Sequence, residues 1–285
     1  MNKYPMNNTR RQFLKMAGTG VLAAGATSLY AQPPMPVSTD RSKNAFTLGI
    51  AGYTFVRLNI ERSIEIMKKV GVNSLSIKDF HMPYNSTQEQ INEVLNKFKN
   101  AGLNIYGVGV IYMKSKDEVD RAFNYARMAG VKTIICAPDY ELLPYVEEKV
   151  RTADFRLAIH NHGPDNPLYP NAADIWEHIR DLDPKIGICI DIGHTLRDGA
   201  DPAKDILKYG NRIYDVHIKD VDKAAKDGRT VEMGRGIIDI PAVVAALRKI
   251  KFTGSCSLEF EKDATDPLAG VAESIGYFKG VTACK

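Results

Sequence analysis

Short apolar runs alternate with amphipathic stretches from residue 46 onward, and this alternation limits the fold more than any other feature. The runs suited to strands are FTLGIAG, NSLSIKDF, NIYGVGV, KTIICAP, RLAIHN, IGICID, RIYDVHIKD and GSCSLEFE. Patterns of helical period separate them, such as IERSIEIMKKVG, TQEQINEVLNKFKNAG, KDEVDRAFNYARMAG and IPAVVAALRKI. Several of these end in a glycine just before the next strand, as a helix C-cap does. Eight strand–helix units predict an α/β fold, a (β/α)8 TIM barrel in a single domain.

Two further observations favour a barrel over an open, doubly wound sheet. A barrel of this kind takes about 250 residues, and the chain has 285. No G-x-G-x-x-G motif follows a predicted strand and opens a helix, which argues against a dinucleotide-binding fold. The fourth helix is the weakest element, because Pro144 interrupts the segment ELLPYVEEKVRTAD.

The N-terminal segment is of a different kind. Arg10 and Arg11 stand in the order Thr-Arg-Arg-x-Phe-Leu-Lys, an Ala- and Gly-rich apolar run follows, and Ala31 ends a possible cleavage site. This order predicts a twin-arginine-type signal peptide over residues 1–31, and with it export of the protein to the periplasm. Residues 32–45, with three prolines, are predicted as a linker, and residues 46–285 as the barrel.

The charge balance argues against a nucleic-acid binder. The chain has 38 Lys and Arg residues against 34 Asp and Glu residues, and residues 1–31 hold four of the basic residues and none of the acidic ones. The rest of the chain is therefore neutral and lacks the basic footprint that nucleic acid requires.

The cysteines are predicted to be packing residues. Cys136, Cys189 and Cys256 lie inside apolar runs, Cys284 lies in the tail, and no C-x-x-C spacing occurs. A zinc knuckle or a redox pair is therefore not expected.

Polar residues gather at the C-terminal ends of the predicted strands, where TIM barrels carry their chemistry. In chain order they are Lys78, His160, Asp191, His217, Lys219, Glu259 and Glu261. Five of the six histidines fall at or just after a strand end, and only His178 lies in a predicted helix.

Taken alone, some of these residues have ordinary explanations. His160 at a strand mouth is more often a satisfied polar residue, and Asp191 is as well suited to capping the next helix. His217 differs, because Asp215, His217 and Lys219 share one strand face, and three polar groups do not fill an apolar core. The same argument applies to Glu259.

Taken together, the strand ends predict a metal centre. Carboxylates and imidazoles that converge from four strands would repel one another or stay unsatisfied without a cation. One divalent ion held by His160, Asp191, His217 and Glu259 satisfies them. The mixed nitrogen and oxygen donors suit Mn, Zn, Co or Fe better than Ca, and leave positions for substrate oxygens.

Three segments carry a resemblance to a known family: IGICIDIGHT, IYDVHIKD and GRGIIDIPAVVAALRKIKFTGSCSLEFE. They resemble the xylose isomerase-like TIM barrels of the sugar phosphate isomerase/epimerase group. That family takes a Glu, an Asp, a His and a Glu as metal ligands from strands five to eight. Asp191, His217 and Glu259 match the last three, and His194 matches a further residue near substrate or metal.

The chain departs from the family pattern at two positions. The epimerases have a Glu on the fifth strand and use it with the strand-eight Glu as two opposed bases. This chain has His160 there, which argues against two-carboxylate epimerisation; whether His160 or His162 is the ligand stays open. Where the family often has a Glu on the second strand, this chain has Lys78.

The resemblance implies proton abstraction beside a carbonyl, with a metal that holds the resulting enediolate. We therefore predict an isomerase or epimerase that acts on a keto-sugar or sugar derivative, with Glu259, His160 and Lys219 as catalytic groups. The residues expected to contact the substrate are His162, His194, Lys78, Tyr53 and Tyr112.

Other functions stay open. Expulsion of a β-substituent would give a lyase or hydratase acting on 3-keto-glycosides, and a sugar-binding protein without catalysis is also compatible with an altered ligand. A phosphodiesterase or endonuclease is disfavoured, because further metal ligands and a basic groove are missing. The expected partner is a small sugar, with no nucleic acid and no stable membrane insertion after processing; a homo-oligomer is left open.

Overall fold

Eight parallel strands close into a barrel in the computed structural model, which describes residues 45–284. The strands of the described chain are β1 (Thr47–Ala51), β2 (Ser74–Ile77), β3 (Asn104–Met113), β4 (Thr133–Pro138), β5 (Arg156–His160), β6 (Ile186–Asp191), β7 (Ile213–Ile218), β8 (Asp220–Val221), β9 (Thr230–Val231) and β10 (Ser255–Leu258). Strands β1 to β7 pair in sequence order, and β10 closes the barrel between β7 and β1. The predicted TIM barrel is confirmed.

The helices follow the barrel strands as predicted. They are α1 (Ile60–Val70), α2 (Gln88–Asn100), α3 (Lys116–Ala129), α4 (Leu143–Arg151), α5 (Ala172–Ile179), α6 (Ile192–Arg197), α7 (Pro202–Tyr209), α8 (Ile240–Lys249) and α9 (Leu268–Ala283). Two helices, α6 and α7, follow β6. The short strands β8 and β9 pair antiparallel outside the barrel, in the connection between β7 and α8.

Polar residues and glycines fix the helix ends. The side chains of Asn59, Ser115 and Asn171 each accept a hydrogen bond from a backbone N–H in the first turn of α1, α3 and α5. Gly71 and Gly130 end α1 and α3 with φ of 64° and 66°, a left-handed conformation that costs glycine little. These caps place each following strand at a defined point.

Two sequence expectations need adjustment. Pro144 does not interrupt α4, because the helix begins at Leu143 and the proline lies in its first turn, where no intrahelical donor is needed. Strand β3 is longer than the predicted run and continues to Met113, with a register shift against β4 between Val108 and Ile111. The extension puts Tyr112 on the strand rather than in the loop after it.

The core lies between the barrel and its helices. Apolar residues of the strands, such as Ile134, Leu157 and Ile188, are fully buried. The strand cysteines Cys136, Cys189 and Cys256 are buried as well. The cysteines of residues 45–284 form no disulfide. The prediction that the strand cysteines are packing residues is confirmed.

The predicted signal peptide and all but the last residue of the predicted linker lie outside the described residues. Within residues 45–284, none of the helices combines the length and the apolarity needed to cross a bilayer.

Candidate metal centre and substrate cavity

Four strand ends bring the predicted ligands to one place. His160 and Asp191 are the last residues of β5 and β6, His217 lies in β7, and Glu259 directly follows β10. Because the strands are parallel, their C-terminal ends meet at the same mouth of the barrel. The register sets Asp191 beside His217, and His217 beside Ser257, two residues before Glu259.

The side-chain atoms that face one another form a compact cluster. His160 Nε2 lies 3.0 Å from His217 Nδ1, and 3.7 and 3.9 Å from Asp191 Oδ2 and Glu259 Oε2. His217 Nδ1 lies 3.3 Å from Glu259 Oε2. One ligand atom from each of the four residues lies within 4.8 Å of every other. All four side chains are buried.

This cluster fits a divalent cation. Asp191 Oδ2 is buried and, within the part of the chain that the structure describes, has no well-aligned hydrogen-bond donor, although the Lys219 ammonium lies 3.2 Å away. Two imidazole nitrogens and two carboxylate oxygens form the mixed donor set that Mn, Zn, Co or Fe binds. The carboxylates of Asp191, Glu259 and Glu261 around the single ammonium of Lys219 leave a net charge of −2 when the imidazoles are neutral. One divalent ion balances that charge.

Lys219 is an ammonium buried among carboxylates. Its Nζ lies 3.2 Å from Asp191 Oδ2, 3.1 Å from Glu259 Oε2 and 3.0 Å from Glu261 Oε1. Burial lowers the pKa of Lys219, but the three carboxylates outweigh it and hold that pKa well above its usual value. Lys219 therefore stays protonated, as a fixed positive charge behind the ligand cluster.

The same contacts keep the ligand carboxylates ionised. Burial raises the pKa of Asp191, but the Lys219 ammonium more than offsets it, and the pKa lies well below its usual range. Burial likewise raises the pKa of Glu259, but the Lys219 ammonium outweighs burial, so that the pKa of Glu259 is also lowered. An ionised carboxylate is the form that binds a cation or accepts a proton.

The two imidazoles of the cluster differ. Burial lowers the pKa of His160, so its neutral form is favoured. Burial also lowers the pKa of His217, but the Glu259 carboxylate overcomes this and raises it. Nδ1 of His160 and Nε2 of His217, the nitrogens turned away from the cluster, have no partner within residues 45–284.

Asp191 has two tasks at once. Its Oδ1 accepts a hydrogen bond of 2.8 Å from the His194 backbone and caps α6, while its Oδ2 faces the cluster. Asn161 fixes the same strand end, because its Oδ1 accepts from the Asp191 backbone N–H and its Nδ2 donates to the Asp191 carbonyl. The capping and metal interpretations of Asp191 are thus compatible.

A cavity of about 330 Å³ opens above the cluster. The residues predicted to contact substrate, namely Tyr53, Lys78, Tyr112, His162 and His194, all line it, together with His160, His217 and Glu259. Lys219 does not reach this surface.

One wall of the cavity carries a hydrogen-bonded pair. The Tyr112 hydroxyl lies 2.7 Å from His162 Nε2. Burial lowers the pKa of His162 to about 2, and burial raises the pKa of Tyr112, so both groups are neutral near pH 7. This pair sits on β3 and just after β5, three strands around the barrel from the Glu259 wall on β10.

The other cavity residues have defined partners. Lys78 Nζ donates to the Val110 carbonyl at 2.5 Å. His194 Nε2 lies 3.4 Å from Lys219 Nζ. Burial is the larger cause, and the Lys219 ammonium the second, of the lowering of the pKa of His194 to about 3. Tyr53 is exposed at the cavity rim, with 43% of its surface accessible.

Three residues near the centre had been given no role from the sequence, although Glu261 and Asp215 were named there as polar strand residues. Glu261 lines the cavity and pairs with Lys219; its position two residues after Glu259 was the available signal. Asn161 carried no signal, because its contacts cross to another strand. Asp215 lies on the His217 face and is buried, and this burial raises its pKa to about 6.

Two histidines lie away from the centre. His81 follows β2, but its Nε2 contacts the Leu58 carbonyl at 2.8 Å instead of the cavity. His178 lies in α5 as predicted and stacks on Tyr140 at a centroid distance of 3.9 Å.

The closed barrel and the polar centre at its C-terminal mouth define a TIM-barrel protein with an enzyme-like site. A family model described as the xylose isomerase-like TIM barrel matches residues 51–281. The chain belongs to that family. No curated protein sequence matches it significantly.

Solved structures share the fold. An uncharacterised protein of Parabacteroides distasonis is 25% identical, with a TM-score of 0.65 over 83% of this chain and 99% of that one. The 3-keto-D-glucoside 4-epimerase of E. coli is 16% identical, with a TM-score of 0.66 over 82% and 99%. A probable 3-DHS dehydratase of Bacillus anthracis is 14% identical, with a TM-score of 0.64 over 82% and 99%.

Proposed function

We propose that the chain is a metal-dependent isomerase or epimerase that acts on a keto-sugar or sugar derivative by removing a proton next to a carbonyl. The observation that carries the proposal is the buried cluster of two imidazoles and two ionised carboxylates at the floor of a polar cavity. The family and its epimerase and dehydratase neighbours support the same class of chemistry.

His160, Asp191, His217 and Glu259 would hold the ion. A divalent ion bound there would polarise the carbonyl of a keto-sugar and make the neighbouring C–H more acidic. His160 rather than His162 is the fifth-strand ligand in this proposal, because His160 Nε2 faces the cluster, whereas His162 Nε2 is engaged by Tyr112.

Glu259 is the proposed base. It is an ionised carboxylate that lines the cavity, and only its Oε2 is engaged by His217 and Lys219. Lys219 cannot accept the proton, because its pKa is raised and it stays charged. The catalytic part of Lys219 is therefore electrostatic: it keeps Glu259 ionised and opposes the negative charge that develops in the transition state.

The histidine on the fifth strand changes the second proton transfer. A neutral imidazole that faces the cluster through Nε2 carries its proton on Nδ1, which is buried and has no partner within residues 45–284. His160 is then poorly placed to return the proton. The Tyr112 hydroxyl, supported by His162, lies on the wall opposite Glu259 and is the proposed acid.

The same pair favours a lyase as the second candidate. A neutral Tyr112 hydroxyl can protonate a leaving group instead of a carbon, which would turn proton removal by Glu259 into β-elimination on a 3-keto-glycoside. Isomerase, epimerase and lyase share the first step and differ in which atom receives the second proton.

Metal analysis tests the site. Purified wild type should carry close to one equivalent of Mn, Zn, Co or Fe, and His160→Ala and Asp191→Ala should each lose most of it. His162→Ala and His178→Ala are the matched controls and should retain the ion. Full metal content in both ligand variants would show that the cluster is not the metal site.

Solvent exchange tests the reaction. Metal-loaded protein in D2O with D-fructose or methyl 3-keto-glucosides should incorporate deuterium next to the carbonyl, and Glu259→Gln should abolish this. Release of the aglycone would identify the lyase. Keto-sugar binding without any exchange would leave a sugar-binding protein and overturn the enzymatic proposal.

We further propose that the protein is exported by the twin-arginine route. The support is the order of Arg10, Arg11, apolar run and small-residue site in residues 1–31. Cell fractionation should find the processed chain outside the cytoplasm, and a variant with both arginines replaced by lysine should remain inside. Equal export of both would refute this route.

A further inference from the structure

A second cavity adjoins the first and is not used by the proposed chemistry. Its volume is about 570 Å³, and His194 and Glu261 line both cavities. The hairpin of β8 and β9 forms its outer side through Gly228, Thr230 and Val231. The two cavities therefore meet along one shared wall.

Basic side chains outnumber acidic ones in the lining of the second cavity. Its ionisable side chains besides His194 are Arg197, Lys219, Asp222, Arg229, Glu261 and Lys262, four basic and two acidic. Three of the cations already have partners: Lys219 contacts the carboxylates of the centre, Arg197 pairs with Asp165, and Lys262 lies 2.8 Å from Glu232. Their charges are balanced by these carboxylates and their hydrogen bonds are largely used, so Arg229 is the lining cation with donors left for a ligand.

Arg229 is different, because its guanidinium forms no ion pair or hydrogen bond within residues 45–284. Its backbone, by contrast, is fixed from both sides: Asp222 N donates to the Arg229 carbonyl at 3.0 Å, and Arg229 N donates to Asp222 Oδ1 at 2.8 Å. The nearby Asp227 carboxylate is engaged by Lys223. Asp227 also attracts Arg229 at longer range. The hairpin thus holds an exposed guanidinium at the rim of the cavity, and its N–H donors have no close partner among the described residues.

Arg197 connects this wall with the first cavity. Its Nη1 lies 3.1 Å from His194 Nδ1, while its Nη2 is held by Asp165 and by the Lys226 carbonyl. His194 in turn faces the sugar cavity. A ligand that extends past His194 and Glu261 would enter a space in which Arg229 is the lining cation without a close carboxylate partner among residues 45–284.

We propose that the second cavity is a subsite for an anionic group, a carboxylate or a phosphate, carried by the substrate beyond its reacting sugar ring. The inference rests on the proposed function and deepens it, since it makes the substrate an acidic sugar conjugate. A guanidinium offers two parallel N–H donors to such a group and forms a charge-assisted, bidentate contact.

Binding of matched disaccharides to the metal-loaded full chain tests the proposal. Calorimetry at physiological ionic strength should show that lactobionate, which has a carboxylate on its second unit, binds about tenfold more tightly than lactose, or about 1.4 kcal/mol. Arg229→Gln should remove this preference. Arg235→Gln is the matched control, because Arg235 lies on the same connection, pairs with Glu273 and lines neither cavity.

Competition identifies the anion. Displacement of lactobionate by inorganic phosphate at lower concentration than by acetate assigns a phosphate subsite, and the reverse order assigns a carboxylate subsite. No preference for lactobionate in wild type, or a preference that survives in Arg229→Gln, overturns the proposal.

The test separates this inference from the proposed function. Glu259→Gln should lose solvent exchange and keep the lactobionate preference. Active protein without the preference would refute the subsite alone, and inactive wild type with the preference would refute the enzymatic proposal alone.

Discussion

Replacement of Lys219 by methionine removes the ammonium from the buried carboxylates of the centre. Its ion pairs of 3.0, 3.1 and 3.2 Å each correspond to ~5 kcal/mol of attraction at an effective dielectric constant of about 20. Most of this attraction offsets the cost of burying the charges. Loss of one partner leaves the others uncompensated, and we expect the unfolding free energy to fall by about 3–5 kcal/mol.

Urea unfolding followed by circular dichroism measures this loss. In chelator, Lys219→Met should show the full effect, and saturating Mn should restore part of the stability, because a bound cation compensates the carboxylates and binds only the folded state. Lys219→Arg, which keeps the charge, should fold even if the methionine variant requires metal.

The control is Lys97→Met, which breaks an exposed ion pair of 2.8 Å with Glu61. An exposed pair of this kind contributes at most about 1 kcal/mol. If Lys219→Met were no more destabilising than this control in chelator, the carboxylates would not depend on Lys219, and the electrostatic role given to it would be refuted.

Three further outcomes are expected. Because burial holds the pKa of His162 at about 2 and the unfolded value is about 6.5, the unfolded state binds more protons below pH 6.5 and stability falls with acidity. His162→Gln should therefore reduce the slope of unfolding free energy near pH 5.5 by up to about 1.4 kcal/mol per pH unit; an unchanged slope contradicts this. At Gly187 an added Cβ meets a backbone oxygen at 2.3 Å and an aromatic ring at 2.4 Å, whereas at Gly276 it meets nothing within 4 Å. Gly187→Ala should cost roughly 1–3 kcal/mol and Gly276→Ala should be neutral or stabilising, so equal thermal shifts would refute the packing argument. Tyr112→Phe should lower kcat/KM by about 100-fold with unchanged metal content, and unaltered kinetics would exclude Tyr112 as the acid.

The sequence predicted the barrel because each strand and helix leaves a local signal. Periodicity marked β6 as IGICID, which are the residues the structure assigns to it, and glycines marked the ends of α1 and α3. The prediction that Pro144 interrupts α4 was wrong, because a proline in the first turn of a helix looks like an interruption when the first residue of the helix is unknown. The end of β3 was missed because its last residues pair with β4 only after a register shift.

The candidate site was predictable in composition but not in geometry. The polar face of β7 and the strand-end positions of His160, Asp191 and Glu259 identified the residues that converge. Which of them touch depends on the stagger between strands, which no local pattern contains. The burial of Lys219 among three carboxylates and the contact of Tyr112 with His162 both cross between strands, so only the structure shows them.

The substitution on the fifth strand and the buried lysine act on the same charge balance. A glutamate at position 160 would add a third carboxylate to the four-residue cluster and a fourth around Lys219. With His160, the carboxylates of Asp191, Glu259 and Glu261 against Lys219 leave −2, which one divalent ion neutralises completely. With His160, the centre is therefore neutral once one divalent ion is bound. A neutral centre attracts a second cation less than a negatively charged one does. In the proposed mechanism His160 also takes the place of one of the two opposed carboxylate bases that the resemblance to the epimerases implies. In the proposed reaction the second proton would then come from a neutral group on the facing wall, where Tyr112 and His162 lie.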